Sequence, residues 1–576
     1  MPKGTSTPFV VLSELCEQIV ATPKRLKKMD LAGTFLAQLA PEEVEAAALL
    51  LIGQPFPRSS ERTLSLSWSG LFSLLKELLH PSSTDITKFF RETGDTGEVV
   101  RRLYLKSGQV SQATLLTSTP MTVLEVYQTF ASIADVQGSG ARRRKTALLR
   151  SLFTRAKPLE AKYITKILLG DQRIGFSEGM LEGTIARIFK LPLGLVRRAN
   201  MLRGNIGEVA RIAVEKGAEG LKEVQLRPFT PLLPMLAAQA EDVSEAIKQH
   251  NGKCAFEPKL DGARVQIHME RRKDKTRIHI FSRRLTDVTT SLPDIVDFIE
   301  REVNATSCIL EGEVLAVGPD GRPFPFQQLM RRFRRVHNID AMVAELPVTL
   351  FLFDLLMLNN DVLIDEPYTT RRKRLNSVIG AIPLVDQLIT ADSEGANTFL
   401  ESALRDGHEG LMAKRLNSPY QPGVRGKAWL KIKKSMETLD LVVIAAEYGS
   451  GRRHKWLSDY HLAAWDPETR EFYMLGKTFK GLTDAEFEEI TKRLLELKIG
   501  QRRGTVVVQP QIVVEIEYDE IQRSPTYPSG MALRFARIKR IRYDKHPEEA
   551  DTIQRVRELF DSQFRRKAQT ERVGRT

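Results

Sequence analysis

Cysteine is scarce in this chain of 576 residues, which has only Cys16, Cys254 and Cys308, far apart and without a C-x-x-C pair. Three scattered cysteines can build neither a disulfide framework nor a four-cysteine zinc site, so we expect a reducing, intracellular compartment. The sequence also lacks any run of about 18 apolar residues and the long apolar core of a signal peptide. We therefore expect no membrane span and a cytoplasmic location.

Several familiar catalytic motifs are missing as well. The patterns H-E-x-x-H and G-x-S-x-G do not occur, and the nine histidines do not cluster, which argues against a zinc protease and a classical serine hydrolase. The nearest approach to a P-loop is Gly476-Lys477-Thr478, but Glu471 stands where the first glycine is required. The sequence therefore gives no support to a P-loop nucleotidase.

Acidic residues are outnumbered, with 72 Asp and Glu against 86 Lys and Arg, so the net charge is +14 and the pI is near 9.5. Net charge indicates partners and not fold, and this balance favours a polyanion such as nucleic acid. Because acids are also abundant, we expect the positive charge to be concentrated on particular faces.

The first part of the chain has helical periodicity. Apolar residues recur at helical spacing from residue 10 to about 220, as in Leu148, Leu149, Leu152 and Phe153. We predict an all-α domain over 1–225. Its basic clusters at 141–158 and 185–213 predict helices that bind phosphate backbones without reading base sequence. For any single cluster, a solvated helix face is the alternative.

The rest of the chain divides into two further regions. A proline-rich linker at 226–237 opens a region, 226–435, in which short alternating strands and helices predict an α+β domain. From 436 to 562, five short strands around one helix near 484–498 predict a small β-barrel of the oligonucleotide-binding (OB) type. The basic segment 563–576 is predicted to be a flexible tail.

One stretch, "CAFEPKLDGARVQIH" at 254–268, sets Lys259 among Glu257, Asp261, Gly262 and Arg264. It can be read as a salt-bridged strand followed by a turn, or as the surroundings of a reactive amine. The stretch alone leaves both interpretations open.

Six further motifs follow in order, and the series with its spacing resembles the ATP-dependent DNA ligases of the replicative type, in their three-domain bacterial or archaeal form. They are Ser282-Arg283, "LEGEV" (310–314), "FLFDLL" (351–356), "EGLMAK" (409–414), "WLKIK" (429–433) and "LRFARIKRIRYDK" (533–545). The resemblance extends to "GDQRIGFSEGML" (170–181) and "NIGEVARIA" (205–213), which are similar to the helical DNA-binding domain of that family. It thus covers nearly the whole chain.

The resemblance implies an enzyme that uses ATP and Mg²⁺ to seal nicks with a 5′-phosphate and a 3′-hydroxyl in double-stranded DNA, in replication, repair and recombination. Lys259 would be the catalytic nucleophile and would carry AMP before the AMP passes to the DNA. The implied partner is nicked DNA at the nucleoid. The segment "ITKFF" (86–90) resembles the aromatic end of a peptide that binds a sliding clamp, but it lies within a helical pattern, which favours core packing as the alternative. The implied oligomeric state is a monomer, without membrane contact.

The resemblance also assigns the nucleotide site. Glu257 would accept a hydrogen bond from the adenine amino group, Phe353 would stack on the ring, although alone it would be read as a core residue, and Glu313 would bind the ribose. Positive potential around the α-phosphate would come from Arg264, Lys431 and Lys433. Glu313 and Glu409 would hold Mg²⁺, with a surface salt bridge as the alternative for Glu313.

Further basic residues are assigned to phosphates. Arg283, Arg425 and Lys414 would face phosphate groups of ATP or DNA. In the family the C-terminal domain rotates, which would bring Arg542, Asp544 and Lys545 over the triphosphate. Asp261 stays open between organising a turn and assisting the metal.

The chain departs from the family pattern at Ala536, where proline is usual, at Arg284, where asparagine is common, and in "KTFKGLTD", where a more glycine-rich turn is usual. These departures put the DNA contacts in doubt more than the lysine chemistry. An RNA ligase or another nucleotidyltransferase with the same lysine is the alternative activity. An NAD-dependent ligase would need a four-cysteine zinc module, and a non-enzymatic DNA-binding scaffold would not need Lys259.

Overall fold

The structure is a computed structural model, and it describes residues 6–58, 60, 62–64, 66–107, 120–273, 275–318, 324, 326–333, 339–433, 438–449, 451–502 and 504–569. The chain forms two compact units. The larger comprises Met1–Ile86, Thr96–Leu404 and His408–Lys433, and the smaller consists mainly of Lys434–Thr576. Across the described residues, no helix combines the length and the apolar character needed to span a membrane.

The first part of the chain is helical, as predicted from the periodicity. Several helices begin at a residue whose side-chain oxygen accepts a hydrogen bond from a backbone N–H three residues on, as at Ser67, Thr122, Ser177 and Asn205. The helices are α1 (Phe9–Ala21), α2 (Arg25–Ala37), α3 (Pro41–Leu51), α4 (Trp68–Leu79), α5 (Ser83–Thr93), α6 (Thr96–Ser107), α7 (Val123–Asp135), α8 (Ala141–Arg155), α9 (Pro158–Leu168), α10 (Glu178–Ile188), α11 (Leu193–Arg203) and α12 (Ile206–Lys222).

The second part of the larger unit contains two five-stranded sheets. In chain order their strands are β1 (Leu236–Ala240), β2 (Cys254–Pro258), β3 (Ala263–Arg272), β4 (Lys275–Ser282), β5 (Ser307–Ala316), β6 (Val348–Leu358), β7 (Asp361–Val362), β8 (Leu388–Thr390), β9 (Gly410–Lys414) and β10 (Arg425–Lys433). The first sheet has the order β1-β10-β9-β2-β8, and the second has the order β4-β3-β5-β6-β7. All pairings are antiparallel except that of β1 with β10.

Six helices accompany these sheets: α13 (Val243–Gln249), α14 (Pro293–Glu302), α15 (Phe326–Phe333), α16 (Ile339–Glu345), α17 (Tyr368–Val378) and α18 (Ser393–Arg405). One core lies against the first sheet and includes Phe256, Leu411 and Leu430. Another lies against the second sheet and includes Ile267 and Leu310. This mixture of strands and helices confirms the α+β prediction.

The linker between the helical part and the sheets is fixed to strand β3 by polar side chains. His268 Nδ1 accepts a hydrogen bond from Phe229 N (2.9 Å), and Gln266 Oε1 accepts one from Leu232 N (2.8 Å). Residues 264, 266 and 268 share one face of the strand, while the apolar residues between them face the core. The alternation of β3 therefore serves both the core and the linker.

The smaller unit is rich in strands: β11 (Leu439–Tyr448), β12 (Leu457–Asp466), β13 (Glu471–Thr478), β14 (Lys498–Arg502), β15 (Thr505–Glu517), β16 (Glu520–Arg523), β17 (Met531–Arg534) and β18 (Arg537–Ile541). Helix α19 (Asp484–Glu496) lies between β13 and β14, where the sequence predicted a helix. The main sheet has the order β13-β12-β11-β15-β14, with β18 also paired to β15, and β16 pairs with β17. The predicted count of five strands was too low.

The last helix, α20 (Ile553–Gln569), reaches into the segment that was predicted to be a flexible tail. Ile553, Val556 and Phe560 recur at helical spacing and pack into the core of the smaller unit, which stabilises the helix. The segment 563–569 is thus helical, its predicted flexibility stays a prediction, and 570–576 lie outside the described residues.

Candidate active site

Lys259 follows the last residue of β2 and lies beside the first residues of β9. Its backbone N–H donates to Gly410 O (2.8 Å), and Glu409 N donates to Lys259 O (2.9 Å). Strand β10 pairs with the other edge of β9, so that its last residue, Lys433, is opposite Gly410. Main-chain pairing thus brings Lys259, Glu409 and Lys433 together at the ends of three neighbouring strands.

The close approach of these strands depends on Gly410. Its φ is +143°, a conformation that side chains rarely allow, and a Cβ there would lie 2.2 Å from Ile432 O. Any larger residue would push β10 away from β9. The glycine of the "EGLMAK" motif therefore sets the distance between Lys433 and Glu409.

The three side chains form an ion cluster. Lys259 Nζ lies 2.5 Å from Glu409 Oε2, and Lys433 Nζ lies 3.1 Å from the same oxygen. Burial favours the neutral form of Glu409, but the two lysines outweigh it and lower the pKa of Glu409 to about 2. Glu409 is therefore a carboxylate at neutral pH and a counter-ion for the proposed nucleophile.

Glu313 lies next to this cluster, on β5, opposite Arg264 of β3. Burial raises the pKa of Glu313 to about 7, and the nearby carboxylates of Glu409 and Asp261 add to the rise, while Lys259 and Arg264 oppose it. Three carboxylates therefore lie close together, and the nearby cations do not offset the burial and mutual repulsion that act on Glu313. Within the described ranges, however, no three His, Cys, Asp or Glu side chains converge closely enough to form a metal cage by themselves.

Glu257 lies deeper than Lys259 and is buried. Its carboxylate accepts hydrogen bonds from the Tyr368 hydroxyl and from Gln387 Nε2 (3.0 Å), and it pairs with Lys414 Nζ at 2.5 Å. Burial, with a further contribution from Glu257, holds the pKa of Tyr368 well above its usual value. Neither Tyr368 nor Gln387 was singled out from the sequence.

Lys414 is 2% exposed and is surrounded by aromatic rings. Its Nζ lies 4.6 Å from the ring centre of Phe353, 4.8 Å from that of Tyr368 and 4.7 Å from that of Trp429. Burial lowers the pKa of Lys414, and the pairing with Glu257 opposes this change. In this structure the ammonium group of Lys414 points into this aromatic cage. The phosphate contact expected for Lys414 stays a prediction.

Arg264 is also turned inward. Its guanidinium donates to Met235 O (2.7 Å), to Glu311 Oε2 (2.6 Å) and to the Tyr420 hydroxyl (3.2 Å). Its Cζ lies 5.4 Å from the ring centre of Phe353, so it still borders the predicted adenine site. Glu311 and Tyr420 were not anticipated as partners of this arginine.

The remaining predicted residues lie nearer the surface. Lys431 is half-buried on β10, two residues before Lys433 and on the same face of the strand. Arg283 is exposed in the turn after β4. Arg425 is exposed at the start of β10, where it donates to Ala237 O (3.1 Å). The structure thus brings Lys259, Glu409, Lys433 and Glu313 together. Arg283 and Arg425 lie outside this group.

Family models match three consecutive parts of the chain. Residues 8–186 match "DNA ligase N terminus", residues 234–433 match "ATP dependent DNA ligase domain", and residues 453–545 match "ATP dependent DNA ligase C terminal region". The first model ends before the proline-rich linker at 226–237, and the second begins within the linker, at residue 234.

Similar proteins extend over nearly the whole chain. A protein named DNA ligase 1 from Korarchaeum cryptofilum is 45% identical, and the match covers 96% of this chain and 98% of that protein. A DNA ligase from Thermococcus onnurineus is 42% identical, with coverage of 97% and 99%. A solved structure titled "Pmar-Lig_PreS3" has a TM-score of 0.55 at 18% identity, covers 92% of this chain and 99% of its own, and supports the fold alone.

Proposed function

The chain belongs to the family of ATP-dependent DNA ligases, and from this premise we propose that Lys259 is the residue through which it activates and seals nicks in duplex DNA. The observation that carries the assignment is the ion cluster at the strand ends, with Lys259 Nζ 2.5 Å from Glu409. The other lysine of the cluster, Lys433, shares that carboxylate. The amine of Lys259 therefore lies beside a carboxylate, Glu409, and close to a second ammonium group, Lys433, which could orient a phosphate.

The chemistry requires three transfers. The neutral amine of Lys259 attacks the α-phosphorus of ATP, a P–N bond forms, the bond to the bridging oxygen breaks, and pyrophosphate leaves. The AMP then moves to the 5′-phosphate of the nick, which breaks the P–N bond and forms a phosphoanhydride. Finally the 3′-hydroxyl attacks this activated phosphate and AMP leaves, so that one phosphodiester forms for each ATP consumed.

The observed ion pair defines the resting form of the nucleophile. An ammonium group that pairs with a carboxylate has no lone pair available, so Lys259 must lose a proton and part from Glu409 before it can attack. Lys433 and Lys431 stay on the same face of β10, where they would stabilise the negative charge that develops on the α-phosphate oxygens. These positions support a role for Lys259 as nucleophile and a role for the two neighbouring lysines in stabilising phosphate charge.

Glu313 and Glu409 are the residues that would hold Mg²⁺. Burial and nearby carboxylates raise the pKa of Glu313, and a bound divalent cation would lower it again by stabilising the carboxylate form. One or two carboxylates together with substrate phosphates are the usual protein ligands of Mg²⁺. When bound, the cation would neutralise phosphate charge as a Lewis acid.

The adenine pocket is proposed to lie beside Glu257 and Phe353. Glu257 already has three partners, and Tyr368 and Gln387 restrain the oxygen Oε1. This restraint leaves the carboxylate in one orientation, which favours a directed hydrogen bond to the adenine amino group. Arg264 would line the same pocket from the side of Phe353.

Nicked DNA is proposed to contact exposed arginines, first of all Arg283 and Arg425. In the helical part, Arg142 and Arg143 of α8 are also exposed and line a concave surface. Guanidinium groups bind phosphates in a bidentate manner, so such a surface would grip the backbone without reading sequence. We expect the sealing of nicks to take place at the nucleoid during replication, repair and recombination. Binding of a sliding clamp through residues 86–90, which lie in α5, stays a prediction.

The test is transfer of α-labelled AMP from ATP to the protein. Wild-type protein should be labelled with ATP and not with NAD, Lys259→Ala should not be labelled, and the exposed neighbour variant Lys253→Ala should be labelled normally. Labelled protein should then seal nicked DNA in preference to nicked RNA. Labelling of Lys259→Ala at another residue would refute the assignment, and sealing of RNA alone would favour an RNA ligase.

A further inference from the structure

The segment 539–545 of the smaller unit is basic, and two buried carboxylates organise it. Glu515 pairs with Lys539 (3.1 Å) and Arg540 (2.5 Å). Asp440 pairs with two more cations of the segment, Arg542 and Lys545, each at 2.7 Å. Asp440 and Glu515 are register partners on the adjacent strands β11 and β15. Four cations within seven residues are thus held by one cross-strand pair of acids.

The two pairs of cations differ in exposure. The side chains of Lys539 and Arg540 are 51% and 63% exposed, while those of Arg542 and Lys545 are 31% exposed or less. Exposed ion pairs restrain side chains weakly, because water and salt screen them. Asp440, whose side chain is 10% exposed, therefore holds its two partners in a more defined geometry than Glu515 does.

The position of Asp440 is itself fixed by the backbone. Asp440 N donates to Asp551 Oδ2 (2.7 Å), and Asp551 N donates to Asp440 O (2.8 Å). Arg542 is fixed similarly, since its backbone N–H donates to Val513 O (2.8 Å). The Asp440 side chain consequently has a fixed origin from which to orient the two cations.

The second counter-ion of Arg542 has a different character. Asp544 receives two hydrogen bonds from the guanidinium, at 2.8 and 2.7 Å, but its side chain is 66% exposed. A phosphate group could replace this exposed carboxylate on the outer edge of Arg542. The buried Asp440 would meanwhile keep the inner edge and Lys545 in place.

We propose that Asp440 is a positioning residue that orients Arg542 and Lys545 for binding the pyrophosphate portion of ATP. This inference rests on the proposed function and on the expectation from the family resemblance that Arg542 and Lys545 act on the triphosphate of ATP. Without Asp440, two like charges would face each other on long side chains, and ordering them would oppose ATP binding. The inference concerns the first transfer alone, because the sealing of an already activated nick involves no triphosphate.

The test separates the first transfer from the last. Asp440→Asn keeps the size of the side chain and removes its charge, and we expect it to raise the KM for ATP in the labelling of Lys259 by about tenfold, as the loss of a charge-assisted hydrogen bond would. Sealing of a pre-adenylylated nick should stay within about twofold of wild type. Asp440→Glu should recover most of the affinity for ATP.

A matched control is Glu447→Gln, on the same strand, which removes a carboxylate 2.5 Å from Lys477 Nζ and should leave the KM for ATP unchanged. If Asp440→Asn lowers the melting temperature, Lys545→Met provides a second route, and the double variant should raise KM no more than the larger single change. An unchanged KM in Asp440→Asn, or equal losses in labelling and in sealing, would overturn the inference. Absence of labelling in wild type would instead refute the proposed function.

Discussion

The buried pair of Glu257 and Lys414 should make a large, strongly coupled contribution to stability. Both side chains are almost fully buried, at 3% and 2% exposed, and Nζ lies 2.5 Å from Oε2. Lys414→Met removes one charge and leaves Glu257 buried with only the Tyr368 and Gln387 donors. Removing one partner of a buried ion pair destabilises a protein by about 3–5 kcal/mol.

The aromatic cage raises that figure for Lys414→Met only slightly. Three rings lie within 4.8 Å of Nζ, and cation–π contacts contribute about 0.5–2 kcal/mol, but the methionine thioether recovers part of the ring contact. Replacing both partners, as in Glu257→Gln with Lys414→Met, removes both buried charges. The double variant should therefore be at least about 2 kcal/mol more stable than the sum of the single changes implies.

Hydrogen exchange of amides in β2 and β9 is the suitable assay, because a chain with two compact units does not unfold in one step. The control is Arg374→Met. Arg374 lies on α17, the helix that also carries Tyr368, and the change removes its exposed ion pair with Asp361. It should lower the free energy of unfolding by less than about 1 kcal/mol. The reasoning is refuted if Lys414→Met is no more destabilising than Arg374→Met, or if the two buried changes are additive.

Two further predictions concern pH and DNA. Burial and the neighbouring His279 lower the pKa of His268 to about 3, below its ordinary value near 6.5. Between these two values the unfolded chain binds a proton that the folded chain does not. His268 therefore does not reduce the free energy of unfolding above about pH 6.5, and it reduces it progressively as the pH falls toward 3. Wild type should lose about 1.4 kcal/mol more than His268→Gln per pH unit below 6.5 in urea unfolding of the larger unit; equal losses would contradict this. Arg283→Ala and Arg425→Ala should each reduce the slope of log affinity for nicked DNA against log salt concentration by about one released counterion. Labelling of Lys259 with AMP should stay normal in both variants. An unchanged slope would show that the arginine in question does not contact DNA.

The sequence predicted the class of each region because periodicity reports which face of an element is buried. The helical spacing up to residue 220 and the alternation in β3 both reflect packing of one face against a core. The last helix was missed because its second half is mostly polar and basic in sequence, a composition that predicts a tail. The short strands β16 and β17 were missed because four residues carry too little pattern.

The sequence was less informative about which predicted residues share contacts. Glu311 could have been suspected, since it is two residues before Glu313 and therefore shares its strand face. Tyr368 and Gln387 gave no such signal, because they approach Glu257 from segments more than 100 residues away. The inward direction of Lys414 was also hidden, because a lysine in a motif looks the same whether it faces an anion in solvent or a buried carboxylate.

The stretch at 254–268 has its spacing because it connects two sheets. Strand β2 belongs to one sheet and β3 to the other, and the residues between them form the crossing. Gly262 lies in that crossing, where a Cβ would be 2.5 Å from Val314 O and 2.8 Å from Glu313 Cγ, so glycine is required for the close packing that brings Glu313 toward Lys259. A residue inserted in the crossing that shifted the pairing of β3 by one position would turn Arg264 to the opposite face. Lys259 and Arg264, five residues apart, therefore serve different neighbours, the nucleophile beside Glu409 and the arginine against Glu311 and the linker.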